Sequence, residues 1–128
     1  MRVIACGSRT FSDSDVIDNV LLGFACQAWA WNETFVLIQG GAKGADKLAD
    51  EWAACENGYS VERLQFDAKW DEHGKAAGPI RNGRMLDEGR PDLVIAFVDK
   101  PLAESKGTAH MVRIAREAGV KTIVVEAW

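Results

Sequence analysis

The chain has 128 residues, with 15 Lys plus Arg against 19 Asp plus Glu and a formal net charge of −4. At 48% hydrophobic and 27% charged residues it can bury one core, which excludes a disordered chain. The acidic balance argues against a whole-surface grip on nucleic acid, and no apolar run approaches the ~18 residues that span a bilayer.

Short β-branched runs alternate with amphipathic segments along the chain. Val3-Ile4-Ala5-Cys6, closed by Gly7, reads as a buried strand. Ser12 and Asp15 have the spacing of a capping box, and Ile17, Val20, Leu21, Phe24, Ala25 and Ala28 then recur at helical spacing. Phe35 to Ile38 is the second strand, ended by Gly40-Gly41. Ala45, Leu48, Ala49, Trp52 and Ala53 mark the second helix, with Asn57-Gly58 as its C-cap. Val61 to Phe66 is a weaker third strand. An irregular stretch from Asp67 to Gly78 follows, and Pro79 is placed to start a short helix through Leu86. Leu93 to Phe97 is the fourth strand. Met111, Ile114, Ala115 and Ala118 share a face of the fourth helix, and Val120 to Val125 is the fifth strand. Five strands alternating with four helices predict an α/β fold. It is a single Rossmann-like three-layer domain over residues 1–128, with a five-stranded, mainly parallel sheet and helices on both faces.

Such sheets bind ligands beyond the carboxyl ends of their strands, so the loops after strands carry the functional expectation. Gly7-Ser8-Arg9 follows the first strand and offers donors for an oxyanion, or is a tight turn with a surface arginine. Gly40-Gly41-Ala42-Lys43-Gly44-Ala45-Asp46 follows the second. Small residues leading into a helix suit a phosphate, although close helix–strand packing also explains the glycines. No Gly-Lys-Ser/Thr follows, so it is not a P-loop. Within the irregular stretch, Trp70 could stack on a base or cap the sheet edge, and His73 reads as a loop tip. Arg81 and Asn82, placed in the first turn of the next helix, offer a phosphate fork and a base or sugar reader. Glu104-Ser105-Lys106-Gly107-Thr108 precedes the last helix. There Gly107 and Thr108 would turn N–H groups and a hydroxyl toward a phosphate, unless Thr108 is only the N-cap.

Several chemistries are set aside. Cys6 opens no Cys-x5-Arg phosphatase loop, because Ser12 holds the arginine position, and a buried strand cysteine is the better reading. His73 and His110 lack partners at ligand spacing, so no metal and no cofactor are expected. Cys6, Cys26 and Cys55 are odd in number without paired spacing, and no secretion signal opens the chain. A cytoplasmic, reducing setting is the expectation, with no membrane partner. Phe24, Trp29 and Trp31 form either an exposed patch, hence a homodimer face, or core filling.

Taken together, Gly7-Ser8-Arg9, Gly40-Gly41-Ala42-x-Gly44-Ala45-Asp46, Ala77-Gly78-Pro79-x-Arg81-Asn82 and Ser105-x-Gly107-Thr108 resemble the SLOG superfamily. More narrowly, they are similar to its YspA/cpYpsA-related branch, found in bacteria and phages. The resemblance covers nearly the whole chain and implies a Rossmann-like fold that binds or senses a nucleotide or nucleotide derivative. The same superfamily holds the Lonely Guy phosphoribohydrolases, which cleave the N-glycosidic bond of nucleoside monophosphates. Their catalytic arginine falls near Arg81, but their glutamate position is Met111 here. That departure favours a binder over an enzyme, with Arg81 and Glu104 (or Asp46) the catalytic candidates if hydrolysis occurs. An interaction module, as in the related DNA-processing A proteins, is the other alternative. The loops carry Arg9, Lys43, Arg81, Arg84 and Lys106 against Asp46 and Glu104, a net +3 in a body of −7. A small positive mouth suits one phosphorylated small molecule better than a long polyanion.

Overall fold

The computed structural model describes residues 1–55 and 61–128. Its five strands are β1 (Arg2–Gly7), β2 (Phe35–Gln39), β3 (Val61–Gln65), β4 (Leu93–Val98) and β5 (Lys121–Glu126). They form one sheet in the order β3-β2-β1-β4-β5, and every pairing is parallel. Between them lie α1 (Ser14–Ala30), α2 (Ala45–Cys55), α3 (Trp70–His73), α4 (Ala77–Gly89) and α5 (Lys106–Glu117). The fold is the expected three-layer α/β domain.

Side chains alternate between the two faces of a strand, and the core divides accordingly. Val3, Ala5, Phe35, Leu37, Leu93, Ile95 and Phe97 face α1 and α2, where Ile17, Leu21, Ala25, Ala49 and Trp52 close the layer. Ile4, Val36, Ile38, Val94 and Ala96 face α4 and α5, packing on Met85, Met111, Val112 and Ala115. All of β2 and β4 is buried. This is why both read as continuous apolar runs rather than alternating ones. The edge strand β3 instead exposes Glu62, Arg63 and Gln65, and charged positions on an edge discourage pairing with another chain.

Three local expectations change. The cap of α1 is Asp13, whose side chain accepts from the Val16 N–H, so Ser12 is not the capping residue. One residue suffices here because Asp13 already reaches the N3 amide. The stretch from Asp67 to Gly78 is not structureless: α3 runs into a 3-10 turn over Gly74–Ala76 and directly into α4. Helix α4 begins at Ala77, two residues before Pro79, which a first turn tolerates because its N–H groups lack intrahelical acceptors. Arg81 and Asn82 therefore occupy the second turn. The aromatic trio divides between its two readings: Phe24 and Trp29 pack against the α1/α2 core, and Trp31 is exposed, at 61%. The proposed C-cap at Asn57-Gly58 lies outside the described residues.

Among the described residues no helix is long and apolar enough to cross a membrane.

Candidate functional site

The chain runs outward from β1 in two directions, to β2 and β3 on one side and to β4 and β5 on the other. Adjacent loops therefore diverge above the carboxyl ends of β1 and β4, leaving a crevice at the point where strand order reverses. A cavity of about 400 Å³ occupies that crevice. The loop after β1 contributes Gly7, Ser8, Arg9 and Thr10, and the loop after β2 contributes Ala42. Asp46 comes from α2, and Arg81, Asn82 and Met85 from α4. Lys100, Glu104, Ser105, Lys106, Gly107, Thr108 and Met111 come from the segment after β4 and from α5.

The N-terminus of α5 faces this cavity without an internal cap. Ser105 is the N-cap residue, yet its side chain makes no cap hydrogen bond. Its hydroxyl instead pairs with that of Ser8 at 3.1 Å, tying the β1 loop to the β4 loop. The Ser8 hydroxyl also accepts from the Asp99 N–H at 3.3 Å, and Thr10 donates to the Asp99 carboxylate at 2.7 Å. First-turn N–H groups of α5 therefore remain for an external acceptor, with the positive end of the helix dipole behind them. Thr108, expected as a phosphate ligand or an N-cap, is the third residue of α5. It is 6% exposed and lines the cavity.

The glycine loop is organised differently from the expectation. The Gly40 and Ala42 N–H groups donate to the Asp46 carboxylate at 3.0 and 3.3 Å. The Gly41 N–H donates to the Gln39 side chain at 2.5 Å. Three amides that a phosphate cradle would use are already satisfied by the protein. Gly44 lines neither the cavity nor the groove beside it. Its φ is +76°, and an added Cβ would run into the backbone of Ser8 and Arg9, so it permits a close crossing of two loops. At Gly7 an added Cβ would run into the Phe97 carbonyl oxygen and come within 2.7 Å of the Ala45 Cβ, so the absence of a side chain lets both β4 and α2 approach the end of β1.

Asp46 is the buried carboxylate of the cavity, at 5% exposure. Burial pushes its pKa up to about 6, against the opposing pull of the Ala42 and Gly40 amides and the Arg81 and Arg9 guanidinium groups. Arg81 donates to the Gly40 carbonyl and, at 3.1 Å, to the Asn82 side-chain oxygen. Asn82 in turn donates its amide to the Gly107 carbonyl at 3.2 Å and lies 3.1 Å from His110 Nδ1. Its amide is thus engaged in joining α4 to the first turn of α5, which makes it a positioning group for Arg81 and that helix end.

A second hollow, about 570 Å³, adjoins the first and shares Arg9, Ala42 and Arg81 with it. Gly40, Gly41, Lys43, Asp67, Ala68 and Trp70 complete its lining. Of the sequence candidates, Gly7, Ser8, Arg9, Ala42, Asp46, Arg81, Asn82, Glu104, Ser105, Gly107 and Thr108 meet around the cavity, whereas Gly40, Gly41 and Trp70 line the groove. Lys100, Thr10 and the apolar floor of Cys6, Met85 and Met111 were missed. Lys100 stands two residues after β4, and the rule that loops after strands bind ligands was enough to find it. Cys6 and Met111 read correctly as core residues, and all three floor residues pack in the α4/α5 layer. Burial holds the Cys6 thiol far above its ordinary pKa, as befits a strand cysteine rather than a nucleophile. Among the described residues no three His, Cys, Asp or Glu gather in a metal-binding cluster.

A parallel three-layer α/β domain with a cation-lined cavity at its switch point defines the class. The chain belongs to the YspA, cpYpsA-related SLOG family, whose sequence profile matches residues 1–73. It is 37% identical over 124 residues to the Gene 61 protein of Mycobacterium phage D29, covering 95% of this chain and 94% of that one. No solved structure gives a significant match.

Proposed function

We propose that this protein binds a nucleotide or nucleotide derivative, with a phosphate seated in the cavity between β1 and β4. The observation that carries this reading is the convergence of the uncapped α5 N-terminus with four basic side chains, Arg9, Arg81, Lys100 and Lys106, on one concave site. Helix-terminal N–H groups supply directed donors, and guanidinium groups supply forked, charge-assisted ones. Asp46 and Glu104 are the acidic residues of the lining and leave it net positive. Family membership supports a nucleotide-related ligand. The chemistry favours a compact anion over a polymer, because the cations gather around one cavity of about 400 Å³ instead of forming a surface stripe.

The test is a thermal-shift screen with mono-, di- and cyclic nucleotides, nicotinamide dinucleotide and ADP-ribose at about 1 mM. A ligand of about 10 μM affinity adds about 2.7 kcal/mol to the native state, a clear rise in melting temperature. Arg81→Ala is expected to abolish that rise while the ligand-free chain stays folded, and Arg81→Lys to restore part of it. Silence across the panel, or normal binding by Arg81→Ala, removes the assignment.

A second reading, N-glycosidic hydrolysis of a nucleoside monophosphate, is favoured by one observation. Asp46, whose pKa burial raises to about 6, lines the same cavity as Arg81 and could exchange a proton there.

A further inference from the structure

The cavity and the groove beside it present two separate surfaces suited to a flat ring, with two arginines between them. In the cavity the surface is the apolar floor of Cys6, Met85 and Met111, nearly buried beneath the opening, which a phosphate alone leaves unused. In the groove it is Trp70, 52% exposed, which lines the hollow together with Gly40, Gly41 and Arg81. Asp67 lines the same groove. One of its carboxylate oxygens accepts from Gln65 at 2.7 Å, and the second oxygen offers an acceptor of the kind that holds a sugar hydroxyl. Arg9 and Arg81 belong to both compartments. At about 400 and 570 Å³, each compartment alone falls in the size range of a complete small-molecule site, roughly 300–1,000 Å³.

A mononucleotide can use only one of these ring surfaces. With its ring on the cavity floor the indole is idle. With its ring on the indole the floor is empty. We propose that the ligand is two-ended: two ring-bearing nucleoside groups joined through a phosphate bridge, one in the cavity, one against Trp70, with Arg9 and Arg81 on the bridge. This rests on the phosphate-site reading above and adds the ligand class.

Titration calorimetry with adenosine monophosphate, adenosine diphosphate and diadenosine diphosphate tests it. The wild type is expected to bind the two-ended probe at least about ten-fold more tightly than either one-ended probe, the affinity that one aromatic stack supplies. In Trp70→Ala that preference collapses to about one, and in Trp70→Phe it persists. Trp70 is exposed and in a short helix, so an unchanged melting temperature without ligand verifies the fold. Equal binding of all three probes by the wild type overturns the two-ended ligand while leaving the phosphate site standing. A preference that survives Trp70→Ala, or a uniform loss that leaves the ratio intact, overturns it as well. Absence of binding by every probe in the wild type overturns both the two-ended ligand and the nucleotide-binding reading.

Discussion

Replacing Asp46 by Asn tests the electrostatics of the cavity directly. The substitution keeps the shape and leaves an oxygen able to accept the Gly40 and Ala42 amides, but removes the titrating proton. In the folded chain burial raises the Asp46 pKa from 3.8 to about 6. The native state therefore holds a proton that the unfolded chain has already released, and stability falls as pH rises through that window. The displacement is about two pH units at about 1.4 kcal/mol each, so the wild type loses about 3 kcal/mol that the Asn variant does not. All other titrating groups are common to both proteins and cancel in the difference. Urea unfolding of the pair at pH 4, 5, 6 and 7 is expected to show the variant gaining about 2.4 kcal/mol of this on the wild type, because pH 4 already lies above the unfolded pKa; that is roughly 10 °C in melting temperature. The gain saturates above pH 6. A difference that stays constant from pH 4 to pH 7 refutes the reasoning, because it means that Asp46 ionises as easily folded as unfolded.

Two more outcomes follow from the same geometry. Gly44→Ala must place a Cβ at a φ of +76° and within 2.6 Å of the Arg9 carbonyl carbon, so a loss of about 1–3 kcal/mol in denaturant unfolding is expected; an unchanged midpoint contradicts the loop-crossing role. Incubation with nucleoside monophosphates is expected to release no free base by chromatography, since Met111 offers no carboxyl and the Asp46 carboxylate is turned onto two backbone amides. Base release that Asp46→Asn abolishes establishes the hydrolytic reading instead.

The sheet was legible because its central strands are buried on both faces. Phe35 to Ile38 and Leu93 to Phe97 carry no polar residue, and such runs, alternating with amphipathic helices, admit few other arrangements. Trp70 to Ala76 was illegible for the opposite reason. Its four-residue helix and 3-10 turn bury no side chain, so they impose no apolar period on the sequence. The cavity's membership was legible from one rule, that ligands sit beyond the carboxyl ends of parallel strands. What each residue does there was not. Whether an amide N–H is free for a ligand depends on which side chain folds back over it, and Asp46 reaches Gly40 across six residues of chain.

That reach redistributes the work among the loops. A glycine-rich turn before a helix is expected to cradle an anion with its own amides, yet here the acceptor is an internal carboxylate. A phosphate set against the same amides would meet a carboxylate already in place, and like charges in a buried site raise one another's pKa instead of both ionising. The proposed phosphate is therefore better placed on the far side of the cavity, at α5, whose cap residue has turned its hydroxyl to Ser8 and left the helix end open. Arg81 links the two sides: it grips the Gly40 carbonyl while Asn82, beside it, fixes the Gly107 carbonyl of α5. If the proposed phosphate binds at α5, it lowers the local potential and raises the Asp46 pKa further, so that binding is expected to be coupled to proton uptake near pH 6.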